Sequence, residues 1–273
     1  MKIVKKCILY LILLSIAFIM LLPFYMMFVM STLSTNAIYS FPPVMLFGGN
    51  LGTNYVNMVK MINLPRAFLN SAFVTITYTF LVLFFCSIGG YAFSVYDFPG
   101  KRKLFALLLF TMMIPSTAGI IPWFIMMSKF GWVNSYAALV IPGCANAFGI
   151  FWMRQYCQNN VPISLMEAAR IDGCSEWLIF FRVIAPILKP AYASLGIMQF
   201  VNMWNEFMQA NLILRKERRY TLPLALRAMV SDRGTDYGAL MLASTCAVLP
   251  LLIVFLCASK YFMDGLTAGA VKE

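Results

Sequence analysis

Apolar residues arrive along this chain in long unbroken runs, not at the alternating spacing of a half-buried strand or the one-sided spacing of a surface helix. A helix needs about 20 apolar residues to cross the hydrocarbon core of a bilayer. Six stretches reach that length: approximately Cys7 to Met30, Ala67 to Val95, Leu104 to Met127, Ala138 to Cys157, Ala191 to Leu214 and Ala239 to Met263. The pattern predicts an all-α integral membrane protein with six transmembrane helices. The first run follows Lys2, Lys5 and Lys6, as a signal peptide would, but its 24 residues exceed a signal's apolar core of about 7–15. No A-x-A cleavage site follows, so it reads as a retained first helix. The predicted organisation is a first helix and external loop over 1–66, a membrane domain over 67–263 and a cytoplasmic tail over 264–273.

Composition supports lipid as the solvent. The 273 residues are 62% hydrophobic and 11% charged, against about 45–50% and about 25% for ordinary soluble domains. A net charge of +11 would point to nucleic acid in a soluble protein. Here the basic residues cluster at the ends of apolar runs, so they set topology and no nucleic-acid partner is expected. With a cytoplasmic N-terminus, inside segments carry twelve Lys and Arg and outside segments nine. The outer loop after the fifth run opposes the bias with Arg215, Lys216, Arg218, Arg219, Arg227 and Arg233. The earlier segments favour an inside N-terminus, and the first helix usually dominates. Both termini are then cytoplasmic, with loops of about 31–66, 128–137 and 215–238 outside and about 96–103 and 158–190 inside.

Catalytic chemistry finds little material. Histidine is absent, which excludes histidine-based metal sites and Ser-His-Asp triads. The seven cysteines are scattered singly and read as small buried hydrophobes. No catalytic residue, metal site or bound cofactor is expected in this chain.

The long inside loop breaks the apolar pattern. Ser164 to Pro186, "SLMEAARIDGCSEWLIFFRVIAP", puts Glu167, Arg170, Asp172, Glu176 and Arg182 within sixteen residues. Ser164 and Glu167 have the spacing of a capping box, so a helix is expected to begin at Ser164. Gly173 suits its left-handed C-terminus. A second, amphipathic helix should run from about Ser175 until Pro186 breaks it, with Trp177, Leu178, Phe180, Phe181 and Val183 packed on the cytoplasmic ends of the spans. Ala168 and Ala169 are small enough to let another surface approach the first helix, and Glu167, Arg170 and Asp172 supply charge at its edge. A plain connecting loop is the competing reading.

The fifth run carries a polar stripe. Gln199, Asn202, Glu206 and Gln209 fall within an arc of about 80° on a continuous helix, and Asn205 borders it. Facing lipid they would be costly, so they are expected to face the bundle interior or a wet cavity. Either a helix–helix seam or a pathway lining fits. Amides and a carboxylate suit a polyhydroxylated ligand. The basic outer segment "LRKERRY" (Leu214 to Tyr220) fits three roles: a solvated helix end, a contact for an acidic protein rim, or attraction of an acidic sugar.

"EAARIDG" resembles the EAA loop of permease subunits in bacterial ATP-binding-cassette importers. Glu167, Ala168, Ala169 and Gly173 match that pattern, while Val183, Ala185 and Pro186 stand where it has Ile, Leu and Pro. "YDFPGKRK" (Tyr96 to Lys103), "MMIPS" (Met112 to Ser116), "WNEF" (Trp204 to Phe207), "YTLPLAL" (Tyr220 to Leu226) and "GLTAGAVK" (Gly265 to Lys272) are similar to the carbohydrate branch, whose best-known members are the maltose-type permeases. The resemblance implies a type I importer permease fold and a non-catalytic permease subunit. Its EAA loop, Glu167 to Gly173, would be the coupling helix held in a groove of a cytoplasmic ATPase dimer. That ATPase, not this chain, would use ATP and Mg. A second permease and an extracytoplasmic solute-binding protein are the other implied partners. An ion-coupled secondary carrier is the alternative. It would need repeat-related halves and intramembrane ionisable groups, for which the chain offers mainly Glu206.

Overall fold

The computed structural model describes the backbone of residues 2–231 and 234–270, and the side chains of 5–115, 117–231 and 234–256. Every regular element among the described residues is helical. In chain order they are α1 (Lys2–Met30), α2 (Thr35–Ile38), α3 (Leu51–Met61), α4 (Leu64–Val95), α5 (Lys101–Met112), α6 (Ile120–Lys129), α7 (Ala137–Val140) and α8 (Ala147–Asn160). Then follow α9 (Ile163–Ile171), α10 (Glu176–Ile179), α11 (Ala185–Ile187), α12 (Lys189–Trp204), α13 (Met208–Ile213), α14 (Leu222–Ala228) and α15 (Tyr237–Ala270).

Among the described residues, four helical segments are long and apolar enough to span a bilayer without a sharp bend: Lys5–Met30, Leu64–Val95, Ala137–Asn160 and Tyr237–Leu256. Two bent pairs reach the length of a span only when each is counted as one. Lys101–Met112 and Thr117–Lys129 meet at 91°, and Glu176–Ile187 and Lys189–Trp204 meet at 77°. Four of the expected runs fall on the straight segments; the third is a bent pair, and the fifth, expected over Ala191 to Leu214, coincides only in its first half with Lys189–Trp204 of the other pair. The third bends beside Pro115, which cannot donate the next helical hydrogen bond. The fifth stops at Asn205 and restarts at Met208. The expected tail at 264–273 is helical backbone as far as Ala270, and 271–273 lie outside the described residues, as do Asp232 and Arg233.

Backbone contacts divide the chain into two compact units, Met1–Arg66 with Leu224–Pro250, and Ala67–Pro223 with Leu251–Glu273. In the first, Asn54 is buried and its side-chain amide donates to the carbonyls of Ser31 (2.8 Å) and Leu33 (2.9 Å), satisfying the end of α1. Gly238 lies so close that a Cβ would sit 2.5 Å from the Leu33 carbonyl oxygen. Met58, Met229, Ala239 and Ala243 form the apolar core of this unit.

Asp236 ties the same unit together. Its carboxylate accepts from Asn57 (2.7 Å), Thr35 (3.3 Å) and the Ala239 N–H (3.1 Å), capping α15. Burial pushes the carboxyl up, but the hydrogen bonds from Ala239, Asn57, Thr35 and Gly238 outweigh it and hold it below its ordinary value. A lowered native value means that this stabilisation is complete above the ordinary carboxylate range and is lost as pH falls through the native value. Asp236→Ala is expected to cost about 1–2 kcal/mol through the lost cap and to flatten the acid limb of thermal melting in detergent. An unchanged melting temperature across neutral and acid pH would show the contacts to be idle.

In the second unit α4 and α8 cross closely. A Cβ on Gly90 would lie 2.5 Å from the Met153 Cβ, and one on Gly149 2.6 Å from the Cys86 Sγ. Val82, Cys86 and Met153 then share a core with Ala191 and Leu195 of α12. This crossing supports both the charged hairpin and the polar cavity described next.

Candidate functional site

The charged stretch folds as a hairpin on that scaffold. Helix α9 begins at Ile163, not Ser164, with Pro162 in an extended conformation as its cap and no side-chain capping bond. The Ser164–Glu167 capping box is therefore not formed, because Pro162 starts the helix one residue earlier. Gly173 has φ +79° and closes the helix: its N–H donates to the Arg170 carbonyl (3.0 Å), and the Cys174 N–H donates to Ala169 (3.0 Å). This is the paired-bond C-terminus that a left-handed glycine makes possible. The Ser175 hydroxyl then accepts from the Leu178 N–H and starts α10.

Pro186 does not end the second helix. The Ala185 N–H reaches back to the Phe180 carbonyl in a wide turn over Phe180–Ile184, and the bend falls instead at Leu188. A wide turn accommodates a residue that cannot donate. Met166, Ala169, Ile179, Phe180, Ile184 and Leu188 pack with Tyr91 of α4 and Cys157 of α8. Of the five apolar residues expected to pack, Phe180 is buried, and Leu178 and Val183 are half-buried. Trp177 and Phe181 remain exposed and stack on each other at 6.3 Å.

The predicted hairpin residues divide by face. Glu167, Ala168, Arg170 and Asp172 are exposed, whereas Ala169 is 8% exposed and packs inward. Ala169 thus belongs to the hairpin's own core and is not open to a partner surface. Arg170 turns toward its own chain, its Nε 2.7 Å from a Glu176 carboxylate oxygen. The Tyr96 hydroxyl donates to the same carboxylate, and the Arg170 guanidinium lies 6.0 Å from the centre of the Tyr96 ring. The bond from Arg170, then that from Tyr96, hold the Glu176 carboxyl below its ordinary value. Tyr96 and Glu176 clasp α9 and α10 to the chain just beyond α4. Sequence reasoning gave neither residue this role, since the contact spans eighty positions.

The polar residues after Gly196 gather around a second feature. A cavity of about 270 Å³ is lined by Asn202, Glu206 and Gln209, with Tyr78, Trp123 and Gly143 among its other walls. Gln199 is buried beside it and accepts from the Tyr78 hydroxyl at 3.4 Å. Asn205 is exposed and turns its amide back to the Val201 carbonyl (2.9 Å), so it does not join the lining. The stripe is not one continuous helical face. Glu206 sits in the break, and its carboxylate accepts from the Gln209 N–H at 2.8 Å, starting α13. Gly143 meets the Tyr78 ring, which a Cβ would approach to 2.6 Å. Tyr78, Trp123 and Gly143 come from three separate elements, and nothing in their own neighbourhoods marks them as partners of the stripe.

Beyond α13 the basic segment is held by two asparagines. The Asn134 side chain accepts from the N–H groups of Arg215 and Lys216 (3.2 Å each), and its own N–H donates to the Ile213 carbonyl (2.7 Å). Asn70 donates to the carbonyls of Arg218 (3.0 Å) and Tyr220 (2.9 Å). Arg219 donates to the Asn134 carbonyl, while Arg215, Lys216 and Arg218 stay exposed.

Several helices with lipid-length apolar surfaces define a multi-pass membrane protein, and its second unit carries both the charged hairpin and the polar cavity. Residues 87–267 match the model of the binding-protein-dependent transport system inner membrane component family, and the chain belongs to that family. It is 39% identical over 205 residues to the arabinooligosaccharides transport system permease protein AraQ of Bacillus subtilis, covering 75% of this chain and 73% of that one. It is 30% identical over 256 residues to the lactose transport system permease protein LacG of Rhizobium radiobacter, covering 94% and 92%. The crystal structure of a bacterial ABC transporter involved in the import of the acidic polysaccharide alginate aligns with a TM-score of 0.80 at 27% identity, covering 94% of this chain and 96% of the other. The fold is thus that of a type I importer permease, and membership sets aside the ion-coupled carrier.

Proposed function

We propose that this chain is the permease subunit of an ATP-driven importer for a neutral sugar or oligosaccharide in the bacterial inner membrane, with both termini cytoplasmic. The cavity carries the reading. Its amides Asn202 and Gln209 and the Tyr78 hydroxyl offer hydrogen bonds to sugar hydroxyls, and Trp123 offers an aromatic wall. The Glu206 carboxylate favours a neutral sugar over a uronate by like-charge repulsion. The relatives that carry arabinooligosaccharides and lactose in their names support a sugar or oligosaccharide as the substrate.

The exposed face of α9, with Glu167, Ala168 and Asp172, is the surface for a cytoplasmic ATPase dimer, and Arg170, Ala169 and Gly173 hold that helix in place. ATP and Mg belong to the ATPase, and this chain performs no catalysis. A second permease completes the pathway. A solute-binding protein delivers substrate on the opposite side, where Arg215, Lys216 and Arg218 offer a basic rim.

Asn202 provides the test. It is exposed to the cavity and caps no helix, so Asn202→Leu removes a ligand contact without removing a structural bond. One lost hydrogen bond contributes about 0.5–1.5 kcal/mol, which predicts uptake reduced about two- to tenfold in proteoliposomes containing the partner subunits. Assembly and basal ATP hydrolysis should stay normal. Unchanged uptake kinetics for Asn202→Leu and Glu206→Gln together would make the stripe a packing seam and remove the substrate assignment.

A further inference from the structure

At the start of α5 a cavity of about 390 Å³ lies against α8 and holds side chains that the transport reading does not use. Its polar end carries Lys101, Arg102 and Arg154, with Asp97 at the rim. Asp97 is fully exposed and pairs with Lys101 at 3.1 Å, leaving two further cations facing the cavity. Arg154 is fixed in place: its Nε donates to the Phe93 carbonyl at 3.3 Å, and its guanidinium lies 4.1 Å from the centre of the Phe105 ring. The other wall is apolar, made of Phe105, Ala106 and Leu109. Lys101, Phe105 and Leu109 are spaced at i, i+4 and i+8, so one stripe of α5 runs from basic to apolar over about 12 Å. Leu104, Leu107 and Phe110 extend the exposed apolar surface beside it.

A soluble anion would use the basic end only, and an apolar partner would avoid it. A molecule with an anionic head and a hydrocarbon tail uses both. We propose that this cavity binds an anionic phospholipid, with its phosphate among Lys101, Arg102 and Arg154 and an acyl chain along Phe105 and Leu109. Gly100 caps α5 in a left-handed conformation without a side-chain bond, so the helix's positive end adds to the field at the headgroup. The proposal rests on the membrane reading above, in which α5 begins at the bilayer surface. Basic pockets at such helix ends suit anionic headgroups.

The full-length permease, purified in detergent and stripped of lipid, would be titrated with phosphatidylglycerol and with phosphatidylcholine of the same chains. Bound lipid is counted by native mass spectrometry. Phosphatidylglycerol is expected to be retained in preference. Arg102→Gln should weaken its retention about fivefold, and Arg102→Gln with Arg154→Gln about twenty-five-fold, the ratios that about 1 kcal/mol per basic side chain gives. Arg215→Gln with Arg218→Gln, on the other basic segment, should leave retention unchanged. Equal retention of the two lipids, no effect of Arg102→Gln, or an equal effect of the control pair would overturn the proposal. Displacement of the lipid by millimolar inorganic phosphate would also overturn it, by making the cavity a simple anion site. The measurement uses neither sugar nor ATP, so failure of the transport assignment and failure of this one are read separately.

Discussion

A Gly173→Val permease is expected to assemble with its proposed ATPase yet to lose about nine-tenths or more of its binding-protein-stimulated ATP hydrolysis. The reason lies in the backbone. Gly173 has φ +79°, and a Cβ there would meet no atom within 4 Å. Space is therefore not the obstacle. An L-residue in the left-handed region costs about 1–2 kcal/mol, and a β-branched one more. The chain can relieve that strain by abandoning the bonds from Gly173 to Arg170 and from Cys174 to Ala169, which set the angle between α9 and α10. A free-energy change of about 1.4 kcal/mol is tenfold in an equilibrium, which sets the scale of the loss. Gly173→Asn is the discriminating control, because asparagine enters the left-handed region at smaller cost. It should retain most of the stimulation. Comparable loss in both variants would locate the glycine's role in something other than its conformation, and full stimulation in the valine variant would make the hairpin a plain connector.

What the sequence disclosed follows from the range of each interaction. Gly173 was legible because a glycine after a short polar helix needs only local geometry to be understood. The four straight apolar spans were legible because length and hydropathy are local too. The capping box misled: Ser164 and Glu167 have the right spacing, but Pro162 had already started the helix. The bend in the third span had a signal in Pro115 that run length alone overrode. The break in the fifth had none. Asn205, Glu206 and Phe207 include no glycine or proline, and the Glu206 carboxylate that starts α13 is recognisable as a cap only once the break is known. The stripe nevertheless delivered Asn202, Glu206 and Gln209 to one cavity, because polar groups in an apolar setting gather whether or not the helix is continuous. Tyr78 and Trp123 stayed hidden, as did the Tyr96–Glu176 contact, since each depends on packing between distant segments.

The two alanines of the hairpin separate docking from folding. They are adjacent in sequence and opposite in setting. Ala169 is 8% exposed among Met166, Ile179 and Phe180, whereas Ala168 is exposed. Ala169→Trp forces an indole into a filled core, which costs about 1–3 kcal/mol or more and displaces the hairpin. Poor recovery of the permease and a lowered melting temperature are expected, and any loss of transport follows from that. Ala168→Trp places the same indole on the face proposed to meet the ATPase. Recovery and melting of the isolated permease should match the wild type, because the side chain enters no packed space. Binding-protein-stimulated ATP hydrolysis should nevertheless fall about tenfold or more, as the indole holds two backbones apart that a small residue lets approach. The comparison is decided by which variant loses which property. A stable, uncoupled Ala169→Trp beside a poorly folded Ala168→Trp would invert the hairpin's faces. Normal stimulation in a well-folded Ala168→Trp would remove α9 as the docking surface, whatever the cavity proves to carry.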